Sequence, residues 1–313
     1  MPTTAAVVAA LRSQPPVVNF TLTDGTRLTA GVRLSARARG ARLTLDMRGG
    51  LQLTVPRRMP PQLLETHLVR FLPWLERAWR AYREHAPEAA LPDRIRLPLT
   101  GEAFRVETDG DMLDGRRASA ETNTQAALLL RGAGAQRLLV VEQPALLRLF
   151  GAVADTALCA RALRRWCRAR AARLLPPYLE KLAAQGGFDL CGVTVRDQRS
   201  RWGSCSRRPA PRSAAECRTE APCTPAPLPT GHISLNWRAL LLPAPLLEHL
   251  CWHELCHLRH MNHSLAYRAE LARHSPRWPE REKALNAAWR GLPWWALPEE
   301  DASPFGPEGG ATP

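Results

Sequence analysis

His253 and His257 stand four residues apart, with Glu254 directly after the first. On a helix this spacing sets both imidazoles on one face, close enough to share one metal ion. Glu254 lies to the side of that face, so its carboxylate can reach a water on the ion without displacing a histidine. The chemistry this suits is hydrolysis: a zinc ion lowers the pKa of its water, and Glu254 takes the proton as general base. The spacing alone is only moderately specific. Its surroundings sharpen it, because Leu246, Leu247, Leu250, Leu255 and Leu258 make the rest of the segment apolar. Histidines buried there without partners would be costly, and ligation satisfies them.

A hydrolytic zinc site has three protein ligands and one open position. The candidates for the third are His249, His260, His263, Glu270 and His274. His249 and His260 each lie about a turn away along a straight helix, too far from an ion gripped by His253 and His257. His263 can join them if the helix ends near Met261-Asn262, where Asn tolerates a left-handed turn. Ser264, a good N-cap, independently suggests a new helix just beyond. His263 is therefore the expected third ligand, ahead of Glu270 and then His274. A developing oxyanion needs a further donor, and Arg201, Ser204, Asn236 and Tyr267 are unranked candidates. Trp202 and Trp237 read as core or pocket wall.

The elements that must position these residues follow from periodicity. The motif helix is expected over 245–261, a shorter one from Ser264, and a third over 279–290, stopped by Gly291. Strands are expected at 193–197 and from His232 to Trp237. Between them, residues 207–230 lack periodicity and read as a long exposed loop. Upstream, a long helical region begins near Thr156, and Pro176-Pro177 is expected to break or restart it. Its arginines (161, 164, 165, 168, 170 and 173) read as a solvated basic face. Further strand candidates lie at 95–97, 103–107, 126–130 and 138–141, with a polar loop at 109–125. Near the start, alternating runs at 19–23, 26–29, 41–46 and 51–55, punctuated by Asp24-Gly25 and Gly49-Gly50, argue an antiparallel meander. A helix over about 61–82 covers it. The expected class is α+β: a small antiparallel N-terminal sheet with its helix, then a mainly helical core. By region, 1–17 is a flexible leader, 18–150 a β-rich region, 151–297 the metallohydrolase core with its inserted loop 207–230, and 298–313 a flexible tail.

Net charge is +14, yet all 43 basic residues except Lys181 and Lys283 are arginines, spread along the whole chain. That skew looks like a compositional habit rather than a tuned surface, although it leaves nucleic acid open as a partner. The eight cysteines form no pair of CxxC motifs, which argues against a structural zinc knuckle. The sequence holds no apolar run of about 18 residues, so a membrane span is not expected. The N-terminus makes a poor secretory signal. The cytoplasm is the expected location, and a disulfide framework is not expected.

Four segments in order, Arg201-Trp202-Gly203-Ser204-Cys205-Ser206, Ile233-Ser234-Leu235-Asn236-Trp237-Arg238, His253-Glu254-Leu255-Cys256-His257-Leu258 and Asn262-His263-Ser264, closely resemble the YgjP-like metal-dependent hydrolase family. That family is bacterial and related to the SprT and WLM groups of HExxH proteins. The resemblance spans about residues 35–290. It implies a zincin-like metallopeptidase core, with His253, His257 and His263 as zinc ligands, and a peptide or protein substrate. Two departures stand out. The family has a very short turn where this chain has residues 207–230, and Phe-Trp where it has Ala266-Tyr267. Other readings keep the same residues. One is a metal-dependent nucleoside triphosphate pyrophosphatase, although no phosphate-cradling Gly-rich loop accompanies the site. Another is a nucleic-acid-associated protein, as the relation to SprT allows. A zinc-stabilised binding module would have no use for Glu254.

Overall fold

The computed structural model describes residues 16–110, 125–207 and 230–298. Apart from a few end residues, the expected leader, the polar loop at 109–125, the insertion at 207–230 and the tail lie outside the described residues. The rest falls into two compact units, residues 16–88 and 89–298.

The first unit is a four-stranded sheet covered by one helix. Its strands are β1 (Val17–Thr21), β2 (Arg27–Ser35), β3 (Arg42–Leu45) and β4 (Leu51–Pro56), and its helix is α1 (Pro61–His85). The spatial order is β1-β2-β4-β3, with β2 and β4 parallel, so the sheet is mixed rather than the expected antiparallel meander. The reason lies in apolar content. β4 buries Leu51, Leu53 and Val55 and takes a central place, whereas the shorter β3 buries only Leu43 and serves as an edge. The β3–β4 turn is tied by Asp46 Oδ1, which accepts from the backbone of Arg48 and Gly50, each at 2.8 Å. At Gly49 (φ 84°) a Cβ would come within 2.8 Å of the Tyr82 ring, so the turn needs glycine twice over. Leu64, Leu68, Leu75 and Trp79 of α1 close the core, while Leu63 points outward.

The second unit is also α+β, and the mainly helical core expected from the sequence is not confirmed: a three-stranded sheet stands among its helices, and a five-stranded sheet precedes them in the same unit. β5 (Arg94–Leu97), β6 (Glu102–Asp109), β7 (Ala126–Arg131), β8 (Arg137–Gln143) and β9 (Leu146–Gly151) form a five-stranded sheet ordered β5-β6-β9-β8-β7. β9 goes unnoticed in the sequence because Leu146-Leu147-Arg148-Leu149-Phe150 shows no regular alternation. It is reached through a tight turn in which Ala145 takes φ 57°.

Helix α2 (Thr156–Gly186) starts on Asp155, whose side chain accepts from Leu158 N, and ends on Gly187 at φ 64°. It runs through Pro176 and Pro177 without the expected break. The carbonyls those prolines leave unbonded belong to Ala172 and Arg173, both exposed, so water can satisfy them, while fully buried Leu175 and Leu179 hold the two halves in line. Its arginines are not one solvated face. Arg164 is buried and donates to the Trp295 carbonyl at 2.9 Å, and Arg170 pairs with Glu102 and Glu142.

A three-stranded sheet of β10 (Leu190–Arg196), β11 (Gly203–Arg207) and β12 (Gly231–Asn236) then leads, through a 3-10 turn at Trp237–Leu241, to α3 (Ala244–Arg259), α4 (Leu265–His274) and α5 (Trp278–Ala288). β12 is central, parallel to β10 and antiparallel to β11. Among the described residues no helix is long and apolar enough to cross a membrane.

Candidate metal centre

α3 carries His253, Glu254 and His257, and packs its Leu247, Leu250, Leu255 and Leu258 into the interior. The helix ends at Arg259, two residues before the expected stop, and Asn262 is not left-handed. The chain leaves instead through His260 (φ −130°), whose carbonyl lies 2.9 Å from His257 Nδ1. Leaving the helix thus creates the acceptor that fixes one imidazole. Ser264 caps α4 as expected, its Oγ accepting from Tyr267 N at 3.3 Å.

This turn brings His263 back onto α3. One ring nitrogen from each of His253, His257 and His263 lies within 4.8 Å of the others, and the ring centroids are 4.9–5.2 Å apart. Tyr267 is buried, stacks on His257 at 4.8 Å and donates its hydroxyl to the His253 carbonyl at 3.3 Å. It fills space and braces the cluster. Two of the other third-ligand candidates are engaged elsewhere. Glu270 pairs with Arg259 and Arg273, and His274 stacks on Trp252 at 4.2 Å.

The donor set fits a borderline divalent ion such as zinc. His253 Nδ1 faces Glu282 Oε2 at 3.2 Å and His257 Nδ1 faces the His260 carbonyl, so both rings keep Nε2 for an ion. Burial pulls the pKa of His253 down, but the Glu282 hydrogen bond and the charges of Glu254 and Glu282 outweigh it, and the net shift is upward. For His257 burial prevails and the shift is downward, which favours the neutral, ligating form.

Glu254 is 5% exposed, and burial lifts its carboxyl to about 7, against the pull of His253 and Arg201. Its neighbour across the gap is Gly203 of β11, where a Cβ would sit 2.5 Å from Glu254 Oε1. Only glycine lets the strand lie so close. The approach is held by Asn236, fully buried, whose amide donates to the carbonyls of Gln198 (2.7 Å) and Arg201 (2.8 Å) while its oxygen accepts from Arg238 N. With the donors of Asn236 and Tyr267 committed, Arg201 and Ser204 are left of the oxyanion candidates. Trp202 and Trp237 are both buried.

Glu282 is absent from the sequence reading. It sits on α5, and no spacing relative to the histidines marks it; only the tendency of metal-binding imidazoles to donate to a carboxylate could have prompted a search among the acids. Hydrogen bonds from His249 and His253 hold its carboxyl well below the usual range.

Against this geometry stands one sequence comparison. The family model of the YgjP-like metallopeptidase domain matches residues 39–210 and 225–288, most of the chain. The chain belongs to the YgjP-like family. No curated protein and no solved structure matches it. A YgjP-like metallopeptidase domain implies a hydrolase that uses a metal ion and acts on peptides; nothing in the match supports a nucleotide or nucleic-acid partner. The gap in the match, 211–224, falls within the stretch expected from the sequence to be an insertion.

Proposed function

We propose that this chain is a zinc-dependent peptidase in which His253, His257 and His263 hold the ion and Glu254 is the general base. The observation that carries the reading is the meeting of three imidazoles from two turns of chain beside one buried carboxylate. An ion held there supplies Lewis acidity, making a water acidic enough to attack near neutral pH and drawing charge from the scissile carbonyl. Glu254 accepts the proton of the attacking water and returns it to the leaving amine nitrogen, so that water is divided between the new carboxyl and the new amine. A carboxyl lifted by burial is well matched to both tasks. Tyr267 and the His260 carbonyl hold the rings in place.

β11 favours a peptide over a phosphoanhydride. Among the described residues it lies at one edge of its sheet and runs past Glu254 at Gly203, so an extended substrate can pair with it and lie across the site.

The test compares wild type with Glu254→Gln, matched for bound zinc, on a diverse peptide pool and on nucleoside triphosphates. Peptide cleavage by the wild type alone, with a fall of at least about 100-fold in the variant, is the expected result. Triphosphate hydrolysis with the same dependence would replace the peptidase reading.

A further inference from the structure

His253 Nδ1 meets Glu282 Oε2 at 3.2 Å, and the same oxygen meets a second imidazole, His249 Nε2, at 3.1 Å. His249 is fully buried, and its Nδ1 lies 3.0 Å from the hydroxyl of Ser275, also fully buried. Ser275 Oγ in turn accepts from Arg281 Nη1 at 3.2 Å. Proton accounting gives this chain a direction. An ionised carboxylate only accepts, so His253 donates through Nδ1–H and His249 through Nε2–H. His249 Nδ1 is then an acceptor, and the Ser275 hydroxyl, itself accepting from Arg281, supplies its hydrogen. Each link has one donor and one acceptor, and the sequence of bonds ends with a lone pair on His253 Nε2.

We propose that His249 and Ser275 are positioning residues for the metal centre, acting through Glu282 to hold His253 in the tautomer and orientation that present Nε2 to the ion. The inference rests on reading His253 as a ligand. It explains why a histidine too far along α3 to join the cluster is nonetheless fully buried. His249 sits one turn before His253 on the same helix, so its N–H and that of His253 converge on one carboxylate oxygen from α5. A single bond would let Glu282 pivot; two from a rigid helix fix it.

The full-length protein is titrated with Zn2+ against a chromophoric chelator, the visible spectrum of its Co2+ form is recorded, and Tm is measured with chelator present. His249→Leu removes both links, His249→Gln restores a donor near the Nε2 position, and Glu282→Gln exchanges the shared carboxylate for a neutral, weaker amide acceptor. The expected result is one ion per chain in the wild type. Zinc affinity falls about 10–100-fold in His249→Leu and Glu282→Gln and recovers substantially in His249→Gln, and the Co2+ spectrum is altered in the first two. If His249→Leu does not fold, Glu282→Gln and Ser275→Ala, which leaves His249 Nδ1 without its donor, carry the comparison. Affinities within twofold of wild type in folded variants overturn the proposal. So does a second ion in the wild type that His249→Leu abolishes, since His249, His253 and Glu282 would then be ligands themselves. His257→Ala separates the two levels: unchanged zinc binding there sinks the three-histidine site, not merely the relay behind it.

Discussion

Glu254 shows how one side chain can be legible in type and illegible in setting. That a carboxylate follows the first histidine is written in the sequence; that burial lifts it to about 7 is not, because the burial comes from Gly203 on a distant strand. A base must be ionised to accept a proton, so activity should rise with pH through the carboxyl's pKa, and a cation beside it lowers that value. The acid limb of kcat/KM at saturating zinc is therefore expected below pH 7, and an acid limb that persists unchanged in the residual activity of Glu254→Gln would remove Glu254 from the role of base. Gly203→Ala should cost about 100-fold in kcat, since displacement of a catalytic group by roughly 1 Å has that effect. Zinc affinity, measured by chelator competition, should be unchanged, because the atoms nearest the added methyl all belong to Glu254. An equal loss of zinc would mean the strand supports the ligands instead.

At the level of elements, the helices were the easiest features to anticipate and the sheet pairings the hardest. Ser264 and the 3.6-residue repeat announce α4 and α3 because caps and amphipathic faces are local. The exit from α3 was misplaced for a tertiary reason: His260, not Asn262, turns the chain, and its carbonyl is held by His257. Pro176-Pro177 misled for the same kind of reason, since packing at Leu175 and Leu179 overrides the local penalty. Ser264→Ala should cost about 1 kcal/mol of stability. It should also weaken zinc binding severalfold, because the capped turn delivers His263. Thermal melts with and without chelator separate the two effects: the zinc-dependent increment in Tm should shrink along with the chelator-treated Tm.

Over the whole second unit, two buried arginines tie the C-terminal turn to the body: Arg164 to the Trp295 carbonyl, and Arg238 to that of Ala296. Arg238 is fully buried and also bonds Asp197 just beyond β10. Burial opposes the charge on Asp197, but the Arg238 hydrogen bond and charge outweigh it and hold the carboxyl below its usual range. A lowered folded pKa means stability that is present above the ordinary carboxylate range and lost as pH falls through the lowered value. Denaturant midpoints should thus fall on acidification, with a smaller fall in Asp197→Asn. At neutral pH that variant should lose about 2 kcal/mol, less than the 3–5 of a fully buried pair because Asp197 is partly open to water. Wild-type stability unmoved by the substitution would mean that Arg238 is held by its carbonyl partners alone.

Much of the candidate site was readable without coordinates. A spacing of four with an acid beside it is a statement about the period of a helix, and an N-cap serine is a statement about one turn, so His253, Glu254, His257 and the restart at Ser264 could all be inferred from neighbours in the chain. What lies between distant residues could not. The parallel pairing of β2 with β4, the strand that presses Gly203 onto Glu254, and the shared hold of Glu282 on His249 and His253 depend on which apolar surfaces the whole chain buries together. Local periodicity fixes the face on which a side chain stands; only long-range packing decides what it meets there.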